Sequence, residues 1–127
     1  MPAPRSDAVA AFVGWLRDAG FDAASIIPPK EQHRDGMVRV SRVGGSRKNI
    51  VMDEPRMLVE VWHHDSYEAA RLAQRLAERV EVPDGTMLAP HVKVTSVNVS
   101  GPVELPDPLS ALRRYQLTAT CLVRHIP

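Results

Sequence analysis

Five histidines, a single cysteine and a Gly-Gly-Ser-Arg-Lys run hold most of the chemistry this chain could offer. Metal ligation is the first possibility. His63 and His64 are consecutive, and consecutive side chains on a strand point to opposite faces, so one ion is not expected to take both. His33, His91 and His125 fall in unrelated segments. No histidine pair has helical i, i+4 spacing, and Cys121 alone supplies neither a cysteine pair for zinc nor an intrachain disulfide. Cys121 also lies on the apolar parity of a strand, where a thiol is a small inert hydrophobe and not a nucleophile. Ser41, Ser46 and Ser66 lack a nucleophile-elbow motif. Asp53 and Glu54 are consecutive before Pro55, which suits solvation or pairing with nearby arginines better than acid–base catalysis. Gly44 to Lys48 lacks P-loop spacing and precedes an extended piece instead of a helix N-terminus. Trp15, Trp62, Tyr67 and Tyr115 are too scattered for a base-stacking platform. No catalytic, cofactor-binding or metal-binding residue is therefore expected.

What remains is surface built for contact. From Arg39 to Asn49 the chain reads Arg-Val-Ser-Arg-Val-Gly-Gly-Ser-Arg-Lys-Asn. Val38 and Val40 alternate with Arg39 and Ser41 as in a half-buried strand. Gly44-Gly45 is then expected to end regular pairing and open a cationic loop, because paired glycines favour turn geometry. Between Lys30 and Arg56 there are seven Lys or Arg against four Asp or Glu; elsewhere there are nine against eleven. Arginine and aromatic residues are common interface anchors. The residues expected to meet other subunits are Arg39, Arg42, Gly44, Gly45, Arg47, Lys48, Asn49, Asp53, Glu54 and Trp62.

The elements that must carry these residues follow from periodicity. Val9, Phe12, Val13 and Leu16 form an apolar stripe on a helix from about Asp7 to Ala19, with Ser6 as cap and Gly20 as stop. Ile26-Ile27-Pro28-Pro29 ends pairing, and a polar loop to Gly36 leads into a strand over about Met37 to Val43. Ile50 to Met52 adds a short strand closed by Asp53-Glu54-Pro55. A clearer strand spans Met57 to His64, with Met57, Val59 and Val61 on one face and Leu58, Glu60 and Trp62 on the other. Apolar groups on both faces mean that something covers the second face or that an edge meets another chain. A second helix runs from Ser66 to Val80, with Asp65 and Glu68 in a capping-box pattern and Ala69, Leu72, Ala73, Leu76 and Val80 buried. Arg71, Gln74, Arg75, Glu78 and Arg79 face away from that stripe. A strand follows over about His91 to Val99, with a parity change between Val94 and Val97 that predicts a bulge or a two-sided environment. Gly101 to Pro108 is a stiff proline connector, and the last strand spans Tyr115 to Ile126. The order helix, strand, strand, helix, strand, strand predicts an α+β domain: two layers, a mostly antiparallel four-stranded sheet and both helices on one face.

Composition bounds the class. The 127 residues suit one domain, and 44% hydrophobic with 24% charged residues is an ordinary globular balance. No apolar run approaches a membrane helix, and Met1 to Arg5 lacks the design of a secretion signal. A net charge of +1 argues against a dedicated nucleic-acid binder.

Three stretches, in order, resemble the tail terminator proteins of long, non-contractile-tailed bacteriophages, particularly the actinobacterial-phage type. They are Val38 to Gly45 with Arg47-Lys48-Asn49; Leu58-Val59-Glu60-Val61-Trp62 with the Ala-rich helix Glu68 to Ala77; and Gly101-Pro102 through Leu105-Pro106-Asp107-Pro108 with Arg114-Tyr115-Gln116-Leu117-Thr118. The resemblance implies a non-enzymatic virion protein without cofactor. It would cap the tail tube as a homo-oligomeric ring, a hexamer in that family, and stop tube polymerisation. It would also offer a joining surface to the head-side connector. Its implied partners are sister copies, the tail tube protein and the neck, with DNA passing through the lumen without sequence recognition and no membrane contact. Its implied location is the head-proximal end of the virion tail, reached from the host cytoplasm. A neck or head-closure protein is the alternative within this class. A small nucleic-acid-binding module, or less readily a small-molecule enzyme, is the alternative outside it. His63-His64 and the Lys30 to Gly36 loop are departures from the family pattern.

Overall fold

The computed structural model describes residues 7–126; Ser6, expected as a helix cap, and the Met1 to Arg5 stretch lie outside them. The element order is α1 (Ala8–Asp18), β1 (Asp22–Ala24), a 3-10 turn (Lys30–Gln32), β2 (Met37–Arg47), β3 (Met52–His63), α2 (Ser66–Val80), β4 (Thr86–Ala89), β5 (Val92–Glu104) and β6 (Arg113–His125). The strands form one six-stranded sheet in the order β1-β2-β3-β6-β5-β4. All neighbours are antiparallel except β1 and β2, which run parallel.

This corrects the four-stranded, mostly antiparallel sheet expected from the sequence, while the α+β class holds. The missing strands are short. β1 is the three residues Asp-Ala-Ala and β4 the four residues Thr-Met-Leu-Ala, too brief for alternation to be recognised. Two other expectations fail for a shared reason. Gly44-Gly45 does not end β2, and Asp53-Glu54-Pro55 does not separate two strands; both lie inside the β2–β3 ladder, where Gly45 faces Pro55. A bulge between Arg42 and Gly44 absorbs the irregularity, and the β3–β6 ladder skips Glu54 and Pro55. Pro55 lacks an N–H, so it is tolerated only where the ladder is interrupted. Gly45 adopts φ +90°, and a Cβ there would sit 1.9 Å from the Glu54 carbonyl oxygen. Only glycine fits that approach.

α2 begins and ends where its stripe predicts. Ala69, Ala73, Leu76, Ala77 and Val80 are buried, and Leu72 is half-buried. The Asp65 side chain caps the helix by accepting from the Tyr67 N–H. The return arm of the expected capping box is absent: the Asp65 N–H donates to His63 Nδ1 at 3.0 Å, and Glu68 pairs with Arg71. α1 is capped by Asp7, which accepts from the Val9 N–H at 2.9 Å. Arg79, read as outward-facing, instead lies 3.7 Å over the Trp15 ring and donates to the Trp15 carbonyl, while the Trp15 indole donates to the Arg79 carbonyl. That reciprocal contact pins α1 to α2.

Both helices bury their stripes on one face of the sheet, against Val38, Val40, Val59, Val61, Leu117, Ala119, Cys121 and Val123. α1 packs against both edge strands, β1 and β4, so the sheet curls around the helix pair. The parity change expected near Val94 is a bulge between Val94 and Ser96. Cys121 is buried in this core, and burial pushes its thiol up to about 12. Since only the thiolate is nucleophilic, alkylation of native protein at pH 8 should run at least ~100-fold slower than after denaturation. Equal rates in the two states, followed by mass spectrometry, would remove Cys121 from the core.

Candidate assembly surface

The second face of the sheet is covered over part of its area, and the cover uses two of the residues expected at an interface. Trp62 is expected from the sequence to meet another subunit. It is fully buried instead, under the segment that follows β5, and its indole N–H donates to Asp107 Oδ2 at 3.1 Å. Burial pushes the Asp107 carboxyl up, but hydrogen bonds from the Leu109 N–H and the Trp62 indole hold it below its ordinary value. Beside it Glu60 is 1% exposed and clamped from both sides. Arg39 reaches Glu60 Oε1 at 2.6 Å and Arg114 reaches Oε2 at 3.1 Å. Burial of a carboxylate is tolerable only with such charge-assisted partners. Arg39 and Trp62 are thus part of a covered structural face, held to loop 105–112 by Trp62 and Arg114, while His33 joins that loop to loop 25–36 by bonding Ser110 and the Pro28 carbonyl.

The other expected residues gather on the β2–β3 hairpin. Arg42 holds Asp53 bidentately, at 2.6 and 2.9 Å. Asp53 is buried, and these hydrogen bonds, with the guanidinium charge, keep its carboxyl below the usual carboxylate value. A lowered folded-state value means that the pair stabilises the fold above the unfolded carboxylate pKa and ceases to do so as pH falls through the folded one. Urea titrations from pH 6 down to pH 3 should therefore show a smaller acid-dependent loss in Arg42→Ala than in wild type. Parallel pH profiles would show that the pair is not formed.

At the tip Arg47 folds back, donating to the carbonyls of Asn49 and Ile50, and Asn49 Oδ1 accepts from the N–H groups of Val51 and Met52. Lys48 lies 3.7 Å from Glu54, a half-exposed pair of small energetic weight. Gly44 and Gly45 are the bend within the arm. The tip is less purely cationic than its sequence suggests: Ile50 is 82% exposed, with Val43 and Val51 also exposed on the arm. Charge counting passed over these apolar side chains.

Two further features escaped the sequence. β1 pairs with only Met37 to Arg39 of β2, and β4 with only Val92 to Val94 of β5. The outer backbone edges of β2 from Val40 to Arg47 and of β5 from Thr95 to Glu104 therefore have no strand beside them among the described residues. The second feature corrects an expectation about the adjacent histidines. His63 and His64 do not point apart; their rings stack with centroids 5.0 Å apart. β3 ends at His63, so the alternation that would separate the two no longer applies to His64.

No helix among the described residues is long and apolar enough to cross a membrane. Compared with known proteins, the sequence matches no protein-family model and no curated protein.

Proposed function

We propose that the chain is a structural subunit of a bacteriophage tail, of tail terminator type, that joins head to tail with copies of itself into a closed ring. The single observation that carries this reading is the pair of open edges. Ser41, Leu58, Thr118 and Ser100 form one row across the sheet; Gly44, Arg56, Thr120 and Asn98 form another. Among the described residues each row ends on an unpaired edge at both sides, so the two edges lie on the same rows. β2 and β5 also run in opposite directions within the sheet. A rotation about an axis along the strands preserves strand direction, so the β2 edge of one copy would meet the β5 edge of the next in antiparallel register, the stronger kind of pairing. Such a heterologous contact gives a ring when the rotation closes. A long unpaired edge in a protein that stays alone is a liability normally blunted or covered.

Two further features agree with this role. The hairpin carries three exposed apolar groups, Val43, Ile50 and Val51, with Arg47 and Lys48 at its tip, side chains suited to meeting a neighbouring component. Away from the helices the open rows carry exposed Ser96, Asn98 and Ser100 and half-buried Thr118 and Thr120, interspersed with Arg56 and Arg124, a mostly polar and basic wall for passing DNA. The nucleic-acid-module reading loses force because Arg39 and Arg42 are committed to Glu60 and Asp53.

Native mass spectrometry and negative-stain imaging, alone and with tail tube protein, should reveal annular particles. Hydrogen exchange should show the outward-pointing amides of 40–47 and 95–104, every second residue, gaining protection on assembly, while those already paired with β3 and β6 are protected throughout. A chain that stays single with its tube protein, or a ring whose edges exchange freely, would overturn the reading. The double variant Arg47→Glu/Lys48→Glu should fold with a loss of about 1 kcal/mol or less, since its hydrogen bonds are solvent-exposed, and should form rings that no longer join the tube. Unchanged joining in a pull-down would exclude the tip from that contact.

A further inference from the structure

We propose that Asp35, His63 and His64 bind one divalent transition-metal ion at the end of the sheet opposite the hairpin. The three residues each present a ligand atom, all within 4.8 Å of one another. They are held there by backbone. Gly36 N–H donates to the Trp62 carbonyl at 2.7 Å, drawing the turn before β2 against the end of β3. The His64 N–H donates to Asp35 Oδ1 at 2.8 Å and fixes the carboxylate. The second carboxylate oxygen lies 2.5 Å from His64 Nδ1, and His63 Nδ1 lies 3.8 Å from the first. Both imidazoles thus turn the same nitrogen toward one carboxylate.

A zinc-sized ion has its nitrogen and oxygen ligands at ~2.0–2.2 Å, which sets neighbouring ligand atoms roughly 3.3 Å apart in a tetrahedron. His64 and Asp35 would open slightly, the ion taking the position of the proton they share, and His63 would close slightly. His63 Nδ1 accepts from the Asp65 N–H at 3.0 Å, which marks it as the unprotonated nitrogen; its one lone pair would exchange that N–H for the ion, leaving the Asp65 N–H to water. The neighbouring cation Arg34 does not compete for the carboxylate, because it is held bidentately by Asp22. Two imidazoles and one carboxylate suit zinc, cobalt or nickel; magnesium and calcium require more oxygen donors. Three protein ligands leave a coordination position for water or for a donor from an adjoining chain.

The test is calorimetric titration of the full chain with Zn2+, with Mg2+ as contrast. One saturable Zn2+ per chain is expected, none for Mg2+, and at least ~10-fold weaker zinc binding in Asp35→Asn and in His64→Ala, both checked for fold by circular dichroism. Zn2+ should raise the melting temperature of wild type and not of the variants, because an ion that binds only the folded state stabilises it. In wild type, imidazole 15N shifts of both His63 and His64 should move together on adding Zn2+, a readout that needs no variant. Absence of saturable uptake, uptake undiminished in both variants, or shifts confined to His33 or His91 would overturn the site.

Discussion

Trp62→Ala is expected to destabilise the domain by about 3–5 kcal/mol, the range for deleting a large buried aromatic. Trp62 is fully buried on the sheet face away from the helices, so its loss removes the floor on which the segment after β5 rests. The indole also donates to Asp107, and truncation leaves that carboxylate without its side-chain donor. Chemical denaturation would measure the loss, and hydrogen exchange should show the amides around Leu109 opening with it. Trp62→Phe separates the two contributions, since it keeps most of the packing and removes only a hydrogen bond of about 1 kcal/mol. A cost below 1 kcal/mol for the alanine variant would mean that the covering segment is not anchored by this ring.

Glu60→Ala is expected to cost about 3 kcal/mol, at the low end of what breaking a buried ion pair costs. Removing the carboxylate takes the charge partner from two guanidiniums, but the Arg39 side chain keeps 32% of its surface and Arg114 still donates to the Leu105 and Pro106 carbonyls, so both keep part of their compensation. The informative comparison is the triple variant Arg39→Met/Glu60→Leu/Arg114→Met. Replacing a whole buried ionic cluster by apolar groups of similar size is often neutral or stabilising, so this variant should be no less stable than wild type. Equal destabilisation of single and triple variants, read from urea midpoints, would show that the cluster itself contributes net stability.

The same residues show how far the chain was legible before its tertiary structure was known. α2 could be read to its ends because fifteen residues at helical period, with an aspartate before them, leave one arrangement that buries the apolar stripe. The bulge near Val94 could be read because one parity change in an otherwise alternating strand has few causes. Leu58, Glu60 and Trp62 on the non-core parity of β3 announced a covered face or a further contact, and cover is what two loops supply over Glu60 and Trp62. The strands β1 and β4 were not legible: at three and four residues their pairing is decided by the neighbours that receive them.

Local chemistry thus determined the helices, the α+β class, the two-faced character of β3 and the burial of Cys121, since periodicity alone says which side of an element must leave water. What it could not determine was which groups become partners across the fold. That Glu60 takes up Arg39 and Arg114, that Gly45 and Pro55 meet inside a ladder, that His63 and His64 turn toward one carboxylate, and that among the described residues two strand edges stay open on the same rows are all consequences of long-range register. Register is a property of pairs of segments, and only the folded chain brings those pairs together.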